Sequence, residues 1–401
     1  MRLSTGTATG AATHARNAVL ATFFMNGFGF ATWASRIPSV RRDLDLGAGQ
    51  LGLLLLMVSV GSLLALPSTG HWVQRFGTAR VVAVGATLLG SGLVVAGFGA
   101  GALGSIPVTA AGLFLTGLGT GSWDVSMNVE GAEVERRLGR SVMPRFHAAF
   151  SLGTVAGGLI GALVTYAGIG VTWHVGISGV LAGVLGAACV RGFLHGARPA
   201  QPHEDDQERI GSRHPLRAWA EPRTLAIGVL VLAMALTEGV ANDWLGVAVV
   251  DGYGAPAWLG SAAFATFVAA MPLGRVSGTV LLDAFGRLPV LWTSMAVAAA
   301  GVLLVVLGHF AVLVVVGILL WGLGASLGFP VGMSAASDDP AHAAARVSVV
   351  ATIGYTAFLG GPPLLGFLGS HFGVLHALLV VSVVLLPSAL AVPAARPVRP
   401  R

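Results

Sequence analysis

The sequence has no lysine, one cysteine and few charged residues of any kind. Charged residues make up 10% of the 401 residues, whereas apolar residues make up 55%. Soluble domains carry roughly 25% charged residues. The chain therefore has too little charge to cover the surface of a soluble protein, and we expect lipid to surround much of it.

The scarcity of chemical groups also excludes several kinds of site. Cys189 is the single cysteine and lies in an apolar stretch. One cysteine excludes a disulfide framework and a thiolate metal site. The histidines show no metal-ligand spacing, and no Gly-Lys-Ser/Thr loop is present to bind ATP. The net charge is +6, but the arginines follow the loops instead of forming a nucleic-acid surface. We predict a non-enzymatic protein with no cofactor, no metal and no nucleic-acid partner.

Long apolar stretches, each of about twenty residues, recur along the whole chain, and this length crosses a bilayer. The sequence predicts twelve transmembrane helices in an all-α integral membrane fold. A polar stretch separates the sixth from the seventh. We predict a six-helix half at 1–194, a cytoplasmic linker at 195–222 and a second six-helix half at 223–401. The twelve predicted spans run over roughly 17–38, 50–72, 79–100, 106–131, 145–168, 171–194, 224–249, 257–282, 288–308, 310–334, 347–369 and 373–394.

The arginines predict the orientation of these spans. When the N-terminus is placed in the cytoplasm, nearly all of them fall on the cytoplasmic side, as the positive-inside rule requires. Arg36, Arg41 and Arg42 are the exceptions. We therefore expect both termini and the linker to face the cytoplasm.

The two halves contain similar segments. Residues 74–77 after the second span match 283–286 after the eighth, and 115–119 in the fourth span match 320–324 in the tenth. The pattern indicates two parallel six-helix repeats, which is the plan of the major facilitator fold.

Several segments resemble known members of this superfamily. The turn at 70–80 resembles its Gly-x-x-x-Asp-Arg-x-Gly-Arg-Arg signature, with Gln74 in place of the acid. Residues 123–135, 238–244, 321–330 and 346–369 resemble a bacterial inner-membrane subgroup typified by YbjJ and related to fucose permease, a proton–sugar symporter. The resemblance implies a monomeric carrier in the bacterial inner membrane. Its partners would be a small-molecule substrate, protons and the lipid bilayer.

An acid in the fourth span is the main candidate for proton coupling. In fucose permease, a glutamate within Gly-x-Gly-x-x-Glu-x-x-x-Asn on helix 4 binds the proton, and Gly119, Gly121, Asp124 and Asn128 match this pattern. The resemblance makes Asp124 a proton-coupling residue and Asn128 a substrate-binding residue. The alternative is a structural hydrogen bond between helices, since intramembrane acids serve both purposes.

A second acid lies in the seventh span. Glu238 is near the middle of this span, and Asn242 follows one helical turn later. Fucose permease has an aspartate four residues before a proline in helix 1, but Ala34 occupies that position before Pro38 here. Glu238 is therefore the candidate replacement, with a buried structural pair as its alternative. Asp243 is expected to be an interfacial acid beside Trp244.

The remaining candidates divide into two groups. Asn26 and Trp33 in the first span are predicted to bind substrate together with Asn128, Asn242 and Trp244, although tryptophan is also an interface anchor. His147 could titrate near neutral pH, but an interfacial structural role is favoured. The predicted gating or structural charge network comprises Arg75, Arg80, Glu133, Arg136, Arg137, His147, Arg275 and Asp283.

These observations favour a secondary active transporter of a small polar solute. The main hypothesis is proton-coupled symport of a sugar-like molecule by alternating access of the two halves. One alternative is an exporter that exchanges drugs or metabolites for protons. The other alternative is a membrane receptor with a transporter fold that binds its ligand without moving it.

Overall fold

The structure is a computed structural model, and it describes residues 4–194, 215–339 and 342–397. Most of the predicted linker and the ends of both termini lie outside the described residues. Every regular element in the described ranges is a helix. The all-helical fold expected from the sequence is therefore confirmed.

The helices before the predicted linker are long, apart from one short helix. A 3₁₀ turn at Val190–Gly192 follows the last of them. They are α1 (Ser4–Ala34), α2 (Ile37–Asp43), α3 (Ala48–Phe76), α4 (Thr78–Gly101), α5 (Ile106–Leu138), α6 (Met143–Tyr166) and α7 (Val171–Cys189).

The helices after the linker are more often interrupted. Short 3₁₀ helices at Pro215–Ala220 and Ala389–Ala395 flank them, and a π-helical segment at Ala241–Leu245 joins α8 to α9. They are α8 (Pro222–Val240), α9 (Gly246–Tyr253), α10 (Ala257–Phe285), α11 (Arg287–Leu307), α12 (Ala311–Ala325), α13 (Gly328–Ala336), α14 (Ala343–Phe372), α15 (Val374–Ala377) and α16 (Leu379–Ser388).

Ten helices in the described part of the chain are long and apolar enough to cross a membrane. Helices α1 and α5 are long but are not among these ten. Both contain polar residues that the sequence singles out, Asn26 in α1 and Asp124 with Asn128 in α5. The polar residues therefore lower the hydropathy of two of the twelve predicted spans.

The chain divides into two compact units. The first comprises Met1–Ala200 with Ala255–Ala265, and the second comprises Gln201–Gly254 with Thr266–Arg401. The division near residue 200 falls inside the predicted linker. The start of α10 belongs to the first unit, where the Ser261 hydroxyl donates to the Ser35 carbonyl at 2.6 Å.

Glycines allow the helices of the first unit to touch along their backbones. A Cβ atom at Gly153 in α6 would lie 2.1 Å from the carbonyl oxygen of Phe24 in α1. A Cβ at Gly117 in α5 would lie 2.1 Å from the carbonyl oxygen of Val58 in α3. Both distances are shorter than van der Waals contact, so α1–α6 and α3–α5 pack backbone against backbone, as small residues permit in membranes.

A helix break organises the middle of the second unit. The break between α12 and α13, at Ser326 and Leu327, packs against α10. A Cβ at Gly274 would lie 2.3 Å from Oγ of Ser326, and one at Gly278 would lie 2.3 Å from Cδ2 of Leu327. The break therefore fixes the stretch of α10 that contains Arg275.

Candidate functional site

Asp124 lies near the middle of α5, about 3 Å along the axis from the helix midpoint. Gly117 and Gly121 are buried against α3, whereas the Asp124 side chain is exposed. The Asn128 amide donates to the backbone oxygen of Asp124 at 2.9 Å and lies 3.5 Å from its Oδ1. The structure thus brings together the two α5 residues that the sequence proposes for proton and substrate binding.

The two candidates on α1 are buried and carry unpaired donors. Asn26 is 1% exposed and Trp33 is 5% exposed. Neither the Asn26 amide nitrogen nor the Trp33 indole nitrogen has a hydrogen-bond partner among the described residues. A buried donor without a partner costs roughly 1–3 kcal/mol. Each nitrogen can therefore offer a hydrogen bond to a bound polar molecule or to water.

A buried basic cluster in the first unit escaped the sequence reasoning. The Arg36 guanidinium donates to Oγ1 of Thr165 at 2.6 Å and to the carbonyl of Ile169 at 2.8 Å. His174 is also buried, and Arg36 acts on it electrostatically. The sequence contained a signal for this cluster, because Arg36 is one of the three arginines that depart from the positive-inside pattern. Its neutral partners tie the end of α1 to the end of α6.

Glu238 and Arg275 face each other in the second unit. Glu238 lies at the midpoint of the Pro222–Tyr253 span, and Nη2 of Arg275 is 3.8 Å from its Oε1. Their side chains are 24% and 37% exposed. The sequence grouped Arg275 with Asp283 at the cytoplasmic end of the helix, whereas the structure brings it close to Glu238 instead. This pair joins α8 to α10 and remains partly accessible.

The π-helical segment at Ala241–Leu245 begins three residues after Glu238. Such segments are frequent at functional sites, because one extra residue per turn disturbs the helical hydrogen bonds. Asn242 and Asp243 are partly buried, whereas Trp244 is fully buried with an unpaired indole nitrogen among the described residues. Trp244 thus shapes the interior of the second unit.

The predicted charge network of the first unit forms local contacts. Glu133 is buried and pairs with Arg136 and, at 2.7 Å, with Arg137. The Arg75 guanidinium lies 5.6 Å from the ring centroid of Phe76. The ring of His147 packs edge-on against Phe23 at 5.3 Å. Arg80 is exposed. Asp283, a member of the predicted network that lies in the second unit, is exposed too.

Glu130 makes a contact that the sequence did not assign. Its carboxylate is fully buried and accepts hydrogen bonds from the Thr78 hydroxyl at 2.5 Å and from the Leu194 amide at 2.6 Å. These contacts link α5 to the start of α4 and to the chain just beyond α7. Glu130 is therefore a structural acid of the first unit.

A second charge network, in the second unit, was also missed. Arg287 binds both oxygens of Asp338 at 2.7 and 2.8 Å, and Arg223 contacts the same acid at 3.1 Å. Arg346 donates to Glu221 at 2.6 Å, and this hydrogen bond is the main reason that the pKa of Glu221 is lowered. The network connects the starts of α8, α11 and α14. Its acids are Asp338, which follows α13, and Glu221, which precedes α8. Each acid lies far in sequence from the arginines that contact it, so local spacing does not predict these pairs.

Within the described residues, no group of three or more His, Cys, Asp or Glu side chains could hold a metal ion.

Comparison with known proteins supports the membrane fold. Residues 19–281 match the family model of the Major Facilitator Superfamily. The chain is 33% identical over 352 residues to the uncharacterized transporter y4wD of Sinorhizobium fredii, covering 87% of this chain and 90% of that protein. It is 31% identical over 351 residues to an uncharacterized MFS-type transporter of Yersinia pestis, covering 86% of each chain.

Solved structures share the architecture at low sequence identity. A variant of the nucleoside transporter NupG superimposes with a TM-score of 0.79 at 12% identity, covering 95% of this chain and 99% of that one. A bacterial homologue of the human lysosomal transporter Spinster gives a TM-score of 0.73 at 14% identity, covering 96% of both chains. At such identities the likeness shows the fold alone. From the family match and the relatives, the chain belongs to the major facilitator superfamily and is a multi-pass membrane transporter, not an enzyme.

Proposed function

We propose that this protein is a proton-coupled secondary carrier that moves a small polar solute across the bacterial inner membrane by alternating access. The observation that carries this proposal is Asp124, an acid close to the middle of α5 with Asn128 beside it. An acid at this depth costs about 2.5 kcal/mol or more if it stays ionised. That cost falls when the carboxyl takes up a proton.

The proton step follows from this cost. When water reaches Asp124, the carboxylate is solvated and can release its proton; when water leaves, the protonated form is favoured. A change in water access therefore becomes a change in proton affinity. Coupling requires that the solute bind preferentially to one of these two states.

The candidate polar side chains of each unit indicate the kind of solute. Asn26 and Trp33 offer unpaired donors from α1, and Asn128 and Asn242 supply amides from α5 and from the π-helical segment. Such groups bind hydroxyl-rich molecules. The helix 4 pattern shared with fucose permease supports the same class, and so supports the proposed relation to the YbjJ-type subgroup.

The proposal includes the topology expected from the sequence. Helices α1 and α5 complete twelve spans in two six-helix repeats, with boundaries at 1–194, 195–222 and 223–401. Both termini and the linker face the cytoplasm, and the carrier works as a monomer. The length of α1 and α5 supports the first point, because helices of 31 and 33 residues exceed the roughly twenty needed to span a bilayer.

Tracer flux in liposomes tests the function. A thermal-shift screen of the purified protein against sugars and metabolites first identifies a bound solute, and its radiolabelled form is then used for transport. A symporter accumulates the tracer when the proton gradient points in the same direction. Accumulation only against an opposed gradient would indicate the antiport exporter, and binding without flux would indicate a receptor; either result contradicts the proposal.

A further inference from the structure

We propose that a groove between α4 and α7, on the surface of the first unit, binds an anionic phospholipid. One acyl chain would lie along the groove, with the phosphate between Arg80 and Arg191. This inference goes beyond solute transport and does not depend on the identity of the solute. The proposed topology places both arginines at the cytoplasmic leaflet. All of the residues concerned belong to the first unit.

The composition of the groove is the first observation. The groove has a volume of about 670 Å³, and its lining includes Thr87 and Ser91 on α4 and Val180 and Val184 on α7. All four of these residues are exposed. The two hydroxyl groups donate to carbonyls of their own helix, at 2.8 Å from Thr87 and 3.2 Å from Ser91. The groove therefore presents mainly apolar atoms, which suit a hydrocarbon chain better than a polar solute.

Glycines at the contact between α4 and α7 leave room for this groove. A Cβ at Gly90 would lie 2.8 Å from Cα of Gly183, so the two backbones touch there. Gly179 and Arg191 both line the groove, and the stretch of helix between them is about 18 Å long. One leaflet is about 15 Å deep, as half of a hydrocarbon core of about 30 Å. One acyl chain can therefore follow the whole length of the groove.

The two helices that form the groove run antiparallel. A Cβ at Gly97 would lie 3.1 Å from Cβ of Val175, and one at Gly186 would lie 3.0 Å from Cβ of Ala86. The contacts therefore move towards the start of α4 as they move towards the end of α7. The start of α4 and the end of α7 lie at the same end of the groove.

Two arginines lie at this end. Arg191 is five residues beyond Gly186 and lines the groove, and Arg80 is six residues before Ala86. The two arginines therefore differ in level by about one residue. Arg80 also shares a helix face with Thr87, seven residues further along α4, which lines the groove. The backbone register thus places one arginine on each side of the groove at this end.

The charge of these arginines is available to a ligand. Both residues are exposed, and neither guanidinium has a hydrogen bond or an ion pair within the part of the chain that the structure describes. Glu130 lies against the start of α4, but it is fully buried and accepts hydrogen bonds from Thr78 and Leu194. Basic side chains between transmembrane helices on the cytoplasmic side bind the head groups of anionic lipids. An anionic phospholipid matches both the charge at this end and the apolar groove beyond it.

Two lipids with identical acyl chains test the inference. The purified full-length protein is freed of lipid in a neutral detergent, and the binding of dioleoylphosphatidylglycerol and of dioleoylphosphatidylcholine is measured by native mass spectrometry. We expect the anionic lipid to bind about tenfold more tightly or better. Inorganic phosphate, which lacks the acyl chain, should not compete with it. Because the protein is in detergent, the result does not depend on the orientation of the chain in a membrane.

Substitutions along the groove separate charge from shape. Arg80→Gln and Arg191→Gln should each weaken phosphatidylglycerol binding about fivefold, and the double variant should bind both lipids alike. Lysine at both positions should keep most of the preference, because the charge remains. Thr87→Phe should block the acyl chain, since this exposed position lines the groove. Arg140→Gln and Leu159→Phe, at exposed positions outside the groove, are the matched controls that should bind lipid like the parent.

The readout is the ratio of the two lipid affinities, together with the melting temperature of each variant without lipid, so a general loss of stability does not imitate the expected change. Equal binding of both lipids by the parent, or a parent-like ratio in the double glutamine variant, would overturn the inference. Unchanged lipid binding by Thr87→Phe would exclude the groove. A lipid-free dimer that Thr87→Phe dissociates would show that a second copy of the chain occupies it instead.

Discussion

The guanidinium of Arg275 on α10 lies 3.8 Å from the carboxylate of Glu238 on α8, and both groups are partly accessible. Glu238 lies at the midpoint of the Pro222–Tyr253 span, and Arg275 lies about 6 Å along the axis from the midpoint of α10. An unpaired charge is costly at such depths. The opposite charges of these two side chains offset each other across the contact between α8 and α10.

The acids of the second unit should differ in their effect on binding. We expect Glu238→Gln to abolish the pH dependence of solute affinity, because the titrating group next to Arg275 is gone. Asp243→Asn should be milder, because Asp243 lies nearer the Tyr253 end of the span and has no such arginine contact assigned in the described structure. Affinity measured from acidic to neutral pH on both variants distinguishes them. An inactive Asp243→Asn beside a parent-like Glu238→Gln would show that the wrong acid was chosen.

Backbone packing between α1 and α6 should be intolerant of even one added methyl group. Gly153→Ala would place a Cβ atom 2.1 Å from the carbonyl oxygen of Phe24, and we expect a loss of about 1–3 kcal/mol or more in stability. Gly176→Ala on α7 is the matched control, because no heavy atom lies within 4 Å of its added Cβ. Thermal unfolding of the purified variants measures both. Equal melting temperatures for the two variants would contradict the packing.

The Glu221–Arg346 contact should stabilise the protein above acidic pH. The hydrogen bond from Arg346 lowers the folded-state pKa of Glu221, so its contribution is present above the unfolded pKa of about 4.3 and is lost as pH falls through the folded value. We expect Glu221→Gln to cost about 1 kcal/mol at neutral pH, with the difference from the parent disappearing in acid. Melting curves across pH test this expectation. Asp43→Asn, in an exposed pair with Arg42, is the control that should change little.

The orientation of the chain is tested by reporter fusions. We expect fusions at Gln201 and Pro400 to report a cytoplasmic location, since the arginines concentrate on that side. A fusion at Gly104, in the turn between α4 and α5, should report the opposite side. Periplasmic activity at Gln201 or Pro400 would reverse the topology.

The helical membrane fold could be predicted because it depends on local features, namely the length and composition of apolar stretches. The polar residues of α1 and α5 that we propose for proton and substrate binding also lower the hydropathy of these two helices. The hydropathy by which a membrane span is recognised is therefore weaker in the helices that carry these residues. The π-helical segment at 241–245 and the break at 326–327 were not predicted. Both depend on the hydrogen bonding and packing of the backbone, and neither has a distinctive composition.

Among the contacts of the candidate residues, those within one helix could be predicted from the sequence, whereas those between helices could not. Asp124 and Asn128 are neighbours on one helix face, so their contact follows from helical spacing. Arg275 lies far from Glu238 in sequence. The sequence therefore suggested Asp283, the nearest acid on the same helix, whereas the structure brings Arg275 close to Glu238. Arg36, in the turn after α1, and His174, in α7, are likewise far apart in sequence. Contacts between distant helices require tertiary structure, which spacing alone does not provide.

Proton movement driven by the solute tests the central claim most directly. The purified protein is reconstituted into liposomes that contain a pH-sensitive dye, and the solute identified by binding is added outside without an initial pH gradient. We predict acidification of the lumen as solute enters, and no acidification with Asp124→Asn, which should insert normally and still allow solute exchange. Solute entry without any pH change in the parent, or full uphill transport by Asp124→Asn, would contradict proton coupling through this acid.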